Sequence, residues 1–190
     1  MSTRPGGRSA RVRDAVLAAT YAELAEHGYP ALTVDAVATR AGVHKTTVYR
    51  RWGSVDDLLA DALDQTRDTP WALPDTGTVE GDLIAITTEV AEAFGHLAVP
   101  TAVVAAAFQS PRAAGALRDF YAARQTQAAL VVVRAVERGE LPADVDPVDV
   151  VRTACAPLYY RVFVTREPVD VAVAERAARA ALAAARAGVI

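Results

Sequence analysis

The chain is poor in the side chains that most often carry chemistry. Among 190 residues it has one cysteine, one methionine, three histidines and a single lysine, and aromatics make up only 6%. A lone cysteine excludes an intrachain disulfide and reads as a reduced, cytoplasmic protein. Cys155 lies in an apolar helical run, where core packing accounts for it more simply than redox sensing. One cysteine with the scattered His27, His44 and His96 does not make a metal-ligand set, so no metal or cofactor is expected. HExxH, Walker A, GxGxxG and GxSxG patterns are all missing, and the carboxylates fall in loops and on helix surfaces, which argues against an enzyme. The longest apolar stretches, Ala98 to Phe108 and Ala128 to Val133, are too short to span a bilayer, so no membrane partner is expected. The N-terminus is polar and arginine-rich, without the apolar region of a signal peptide.

What is present is enough apolar material for a core, 52% of residues, in a length that suits one or two small domains. The net charge of −3 taken alone argues against a nucleic-acid partner, but its distribution argues for one. Residues 1–51 hold eight basic and four acidic side chains, a net of +4, and residues 52–190 hold twelve and nineteen, a net of −7. A basic end can meet phosphates while an acidic remainder stays off them. Lys45 as the only lysine, beside abundant arginine and alanine, is the pattern of GC-rich coding. The first ten residues read as a disordered arm, whose Arg4 and Arg8 have two readings, a phosphate or minor-groove contact and a solvated tail.

The densest signal runs from Thr33 to Leu59, TVDAVATRAGVHKTTVYRRWGSVDDLL. Ala38, Gly42 and Val48 follow the spacing that lets two short helices cross closely. The small side chain permits approach, the glycine permits a positive φ in the turn, and the valine fills the angle between the helices. Thr33 is a good N-cap, and Val34, Val37, Ala38 and Ala41 follow at one-face spacing. On the next helix, from about His44 to Arg51, Val48 and Trp52 share the inward side. Thr46, Thr47 and Arg50 lie opposite, where base edges would be, with Lys45, Tyr49 and Arg51 flanking them where phosphates would be. A plain helical hairpin with a solvated basic end is the bland alternative.

The stretch from Arg11 to Leu63 resembles the DNA-binding domain of the TetR family of bacterial repressors. The resemblance rests on Glu26-His27-Gly28-Tyr29 closing a first helix, then Thr33, Val34, Ala38, Gly42, Thr47, Val48 and Tyr49, then Trp52 and Asp56-Asp57-Leu58. Two positions depart from the family pattern: His44 stands where a serine is usual, and Val55 where a lysine is common. The first is a poorer cap and the second removes a phosphate contact. The resemblance implies a homodimer that reads a palindromic double-stranded operator and releases it when a small molecule enters the helical domain. It places Thr33 and His44 beside the reading face among the DNA-binding residues.

After Leu63 the pattern stays helical, with breaks at Asp68 to Thr78, Val99-Pro100, Ser110-Pro111, Gly139 to Pro147 and Glu167-Pro168. Helices are predicted over roughly 55–67, 79–97, 101–109, 113–138, 147–165 and 170–187. The chain is therefore expected to be all-α: an arm at 1–10, a three-helix helix-turn-helix domain at 11–54, and a helical bundle for effector binding and dimerisation at 55–190. Within 113–138, one apolar stripe holds Leu117, Phe120, Tyr121, Ala128, Val131 and Ala135, and a second holds Ala122, Leu130 and Val133, which predicts a helix central to its domain. Arg124 sits inside the first stripe and needs a partner: a salt bridge, a snorkelling tail or an acidic effector. Pro157 is expected to kink its helix unless the break is tolerated locally. The last helix offers Val171, Ala174, Ala178, Leu182 and Ala185 on one side, and the resemblance gives the last two helices, about 147–187, to the dimer interface.

Pocket candidates are the aromatic and polar side chains of the central helices, Phe94, His96, Phe108, Tyr121, Arg124 and Tyr159, with Trp71 in a loop that can close over them. Such a lining suits a hydrophobic or aromatic effector, anionic if Arg124 faces it. The expected function is a ligand-responsive transcriptional repressor. The runner-up is a ligand-binding or protein-interaction module with weakened or lost operator binding, on the strength of His44 and Val55.

Overall fold

The computed structural model describes residues 6–69, 71–95 and 98–190. Among them are nine α-helices and no strand, so the chain is all-α. The helices are α1 (Gly6–His27), α2 (Val34–Arg40), α3 (Lys45–Trp52), α4 (Val55–Asp68), α5 (Val79–Gly95), α6 (Ala98–Ala107), α7 (Pro111–Glu137), α8 (Pro147–Tyr160) and α9 (Val171–Arg186). Among the described residues no single helix is long and apolar enough to cross a membrane. The described residues form two compact units, one within Met1–Thr69 and Ala98–Phe120, the other within Pro70–Leu97 and Tyr121–Ile190.

The first unit corrects two expectations. Residues 6–10 are helical rather than a disordered arm: α1 begins at Gly6, and Arg11 Nε reaches back to the carbonyl of Gly7 at 3.1 Å. Residues 1–5, Arg4 among them, lie outside the described residues. Nor does the unit end at residue 54. Leu58, Leu59, Ala62 and Leu63 of α4 are buried with Val16, Leu17 and Leu24 of α1 and with Val37 and Val48, and Val103, Ala106 and Ala113 complete the same core. Amphipathic periodicity shows which face of α4 is buried, not against what. Proline does not delay α6 until residue 101, because Pro100 falls in the first turn, where its missing N–H has no helical partner to lose.

Polar ties fix how α1, α2 and α4 meet. Arg40 of α2 donates to Glu23 of α1 at 2.5 Å and to Glu26. Asp61 of α4 accepts from Arg13 Nε at 3.1 Å, Arg13 Nη2 at 2.5 Å and Trp52 Nε1 at 2.8 Å. Burial pushes the Asp61 carboxyl up, but the bonds from Arg13 and Trp52 outweigh it and hold the group below its ordinary value. Its stabilisation is therefore complete above the unfolded carboxyl range and disappears as pH falls through the depressed folded value. Asp61→Asn should lower stability by about 1.5 kcal/mol near neutrality, with the deficit closing as pH falls through the depressed folded value. Thermal midpoints of both proteins across that range check this, and a constant deficit would sink it.

In the second unit, Val79, Leu83 and Ile86 of α5, Ala128, Val131, Val132 and Ala135 of α7, Val150, Val151 and Ala154 of α8 and Ala178, Ala181 and Leu182 of α9 make one core. Here α9 departs from expectation. Ala174, Ala178, Leu182 and Ala185, expected at a dimer contact, are buried inside this unit, with only Val171 of that side exposed. Alanine permits close approach to α5, and Thr87 of α5 donates to the carbonyl of Ala174 at 3.1 Å. The second stripe of α7 is also corrected: Ala122, Leu130 and Val133 are exposed, so within this chain the helix buries one side only. Pro157 does not end α8, which runs on to Tyr160 before a π-helical turn at Arg161–Thr165. A buried carboxylate anchors the segment before α5. Asp82 accepts from Thr76 N at 2.7 Å and Thr76 Oγ1 at 2.9 Å, with Arg134 of α7 at 3.6 Å, and Arg134 also donates to the carbonyl of Pro74.

Candidate nucleic-acid interface and internal cavity

The short helices α2 and α3 are set by local chemistry. Thr33 caps α2 by accepting from Ala36 N at 3.1 Å. After Arg40 the chain reverses through Gly42 at φ 66°, and Val43 N returns to the carbonyl of Ala38 at 3.0 Å. A left-handed residue is required there, and glycine adopts it without the steric cost other residues bear. Val48 is fully buried and Trp52 nearly so, which fixes the rotation of α3 about its axis. Ser54 then caps α4 through Asp57 N at 3.2 Å.

That rotation turns Thr46, Tyr49 and Arg50 outward, with Thr47 half-buried beside them. Among the described residues no ion pair engages Arg50. Lys45 reaches Asp35 of α2 at 3.3 Å, both side chains being exposed. The guanidinium of Arg51 lies 5.1 Å from the centre of the Trp52 ring. His44 precedes α3 without capping it, and its Nδ1 pairs instead with Thr46 Oγ1 at 2.9 Å. The eight residues Thr33, His44, Lys45, Thr46, Thr47, Tyr49, Arg50 and Arg51 thus fall in one short stretch, with Thr33 occupied as a cap. An exposed helix face carrying an arginine and threonines over a buried apolar back can lie in a groove and donate to base edges.

The second unit contains a cavity of about 370 Å³. Its wall from α7 is Tyr121, Arg124, Gln125 and Ala128, from α8 it is Val151, Arg152, Cys155, Ala156 and Tyr159, and Ile86 and Val90 of α5 and Trp71 complete it. Trp71, Tyr121, Arg124 and Tyr159 are therefore brought together. Phe94 stands behind the wall, buried, with its ring edge-on to Tyr159 at 5.0 Å. Phe108 belongs to the first unit and is 88% exposed, which removes it from the pocket; it follows the last turn of α6, where the chain turns toward Pro111. His96 lies outside the described residues. Sequence reasoning missed Gln125 and Arg152, although each shares a helical face with residues it did single out.

Arg124 donates to Gln127 at 3.3 Å and lies over the Trp71 ring at 5.6 Å, while Trp71 Nε1 donates to Glu89 at 2.9 Å. Burial pushes the Cys155 thiol up to about 12. Burial also raises the phenol of Tyr159, helped by Tyr121 and Cys155, and that of Tyr121, which a hydrogen bond with Tyr159 partly offsets. All three groups are neutral at physiological pH and add weak donors to the wall. Among the described residues no three His, Cys, Asp or Glu side chains gather as a metal site.

Known proteins resemble the chain in two successive stretches. A family described as "Bacterial regulatory proteins, tetR family" matches residues 16–62, and one described as "Tetracyclin repressor-like, C-terminal domain" matches residues 73–181. The HTH-type transcriptional regulator AqdR of Rhodococcus erythropolis is 35% identical over 142 residues, 73% of this chain and 68% of that one. The uncharacterized HTH-type transcriptional regulator YdeS of Bacillus subtilis is 28% identical over 172 residues, 89% of this chain and 87% of its own. Among solved structures, the TetR family transcription regulator SCO0332 is 32% identical with a TM-score of 0.66, covering 90% of this chain and 97% of that one. A TetR transcription regulator from Haloarcula marismortui has a TM-score of 0.72 at 21% identity, over 93% of this chain and 98% of that one, a likeness of fold alone.

Proposed function

This chain belongs to the TetR family of bacterial transcriptional regulators, which are not enzymes, and we propose that it is a cytoplasmic repressor that binds a palindromic operator as a homodimer and leaves it when a small hydrophobic effector fills the cavity. The outward Thr46 and Arg50 above the buried Val48 and Trp52 carry this reading. Arg50 reads a guanine edge, Thr46 and Thr47 touch bases, and Lys45, Tyr49, Arg51 and the segment at Thr33 and His44 meet phosphates. One α3 spans only a few base pairs, so two copies are needed for a specific site. The second copy docks on the outward side of α8 and α9, where Tyr160, Ala172, Ala180 and Ala183 are exposed, and not on the buried alanine face.

The effector acts by population shift. It binds one of two arrangements of the protein better, and the start of α4, near Asp56, moves with the change so that the two reading helices lose the spacing their half-sites require. The test is selection of bound sequences from a random DNA pool at moderate salt. A two-fold symmetric consensus is expected. No enrichment from a folded, dimeric protein would overturn the operator reading in favour of a ligand-binding module whose His44 and Val55 mark a weakened hold on DNA.

A further inference from the structure

The cavity of the second unit has fixed positive charge in its wall. Arg124 and Arg152 stand in its wall, and among the described residues no aspartate or glutamate does, although Glu89 accepts from Trp71 Nε1 and Asp149 pairs with Arg152. Guanidinium groups stay charged throughout the pH range a protein survives. Gln127 and the face of Trp71 orient Arg124, and Arg152 also pairs with Asp149 one turn away on α8. The other polar groups of the wall, the two phenols, the Cys155 thiol and the Gln125 amide, are neutral. A cation entering this space would lose its water and meet the two guanidinium groups of the wall, whereas an anion would recover a charge-assisted bond.

The apolar part of the wall selects shape. Trp71, Tyr121 and Tyr159 present ring surface, with aliphatic side chains between them. A volume of about 370 Å³ lies in the range of small-molecule sites. We propose that the cavity takes a planar aromatic monoanion, such as an aromatic carboxylate, with its ring against Trp71, Tyr121 and Tyr159 and its negative end toward Arg124. This rests on the reading of the cavity as the effector site and narrows it to one charge class.

Three probes of one shape test the inference by calorimetric titration of the full chain: naphthoate, the neutral naphthamide and naphthylmethylammonium. Naphthoate should bind about ten- to a hundredfold more tightly than the amide, and the ammonium most weakly. Arg124→Met and Arg124→Gln should both abolish the preference for naphthoate while leaving amide affinity within about twofold, which separates charge from volume. Equal binding of the three, preference for the ammonium, a preference unchanged in both variants, or no binding at all overturns the proposal. Adding each probe to the operator complex keeps the two readings apart. If naphthoate is preferred but leaves DNA bound, the effector reading falls and the anion site stands. If the ammonium releases DNA as well as naphthoate does, the effector reading stands and the anion site falls.

Discussion

Arg50→Ala should weaken binding to the selected operator by about 1–3 kcal/mol per half-site, and so by about 2–6 kcal/mol for a dimer on both halves. The expectation comes from where the helix is forced to point. Val48 and Trp52 cannot leave the core without exposing a fully buried valine and a nearly buried tryptophan, so α3 cannot rotate to hide Arg50. A guanidinium in a major groove loses a bidentate pair when truncated, and the loss falls on one base position. The measurement is affinity for the consensus and for variants changed base by base. Relaxed preference at one symmetric pair of positions is the expected signature. Lys45→Ala should instead weaken all sequences alike and make the salt slope shallower by about one for each half-site. Uniform weakening by Arg50→Ala would make Arg50 a phosphate contact and would pass the base-reading role to Thr46 or Thr47.

Much of the reading helix was legible because its determinants are local. A cap, a left-handed glycine and a valine six residues later are set by short-range geometry, and the structure places Thr33, Gly42 and Val48 in those roles. What local pattern could not show was which faces meet. The apolar side of α4 predicts burial equally well in either unit, and only tertiary packing puts Leu58 and Leu59 beside Val16 and Leu17. The same limit explains α9. An alanine face permits close approach to any helix, and here it packs on α5 and α8 of the same chain. It also explains the second stripe of α7, where Leu130 and Val133 are apolar yet exposed.

The cavity was legible in its aromatic and charged parts and illegible in the rest. Tyr121, Arg124 and Ala128 share one face of α7, as Arg152, Cys155, Ala156 and Tyr159 share one face of α8, and both groups reach the same space. An arginine inside an apolar stripe is the kind of conflict that marks such a place, and it was visible at Arg124. Aliphatic lining such as Ile86 and Val151 carries no such conflict, because a cavity wall and a packed core have the same periodicity. Phe108 misled for the complementary reason: a large aromatic inside a helix expected over 101–109 reads as buried, and here it follows the end of α6 and is exposed.

Asp56→Ala should lower the stability of the first unit by about 3–5 kcal/mol, and it should do so through a network that sequence spacing does not display. Asp56, in the first turn of α4, accepts from the Tyr29 hydroxyl and from Ser110 Oγ at 2.7 Å. Burial, then the bond to Asp56, raises the Tyr29 phenol, so tyrosine stays the donor at any working pH. Ser110 is almost fully buried, and its oxygen also accepts from Ala113 N at 3.2 Å, capping α7. One carboxylate therefore ties the turn after α1 and the start of α7 to the helix that follows the reading helix. Removing it takes away two charge-assisted bonds and strands a buried hydroxyl. Tyr29→Phe should cost about 1.5 kcal/mol, since Asp56 then keeps Ser110. Once Asp56 is gone, the same tyrosine change should cost much less, a coupling that a double-mutant cycle in chemical denaturation measures directly. Simple additivity of the two changes would mean that the hydroxyl and the carboxylate do not depend on each other. Coupling would mean that the start of α4, three residues beyond the end of α3, is held from two directions at once. Loss of that hold should also weaken the operator complex, because a reading helix whose following segment is loose must be ordered on binding, a cost that the wild-type protein has already met in folding.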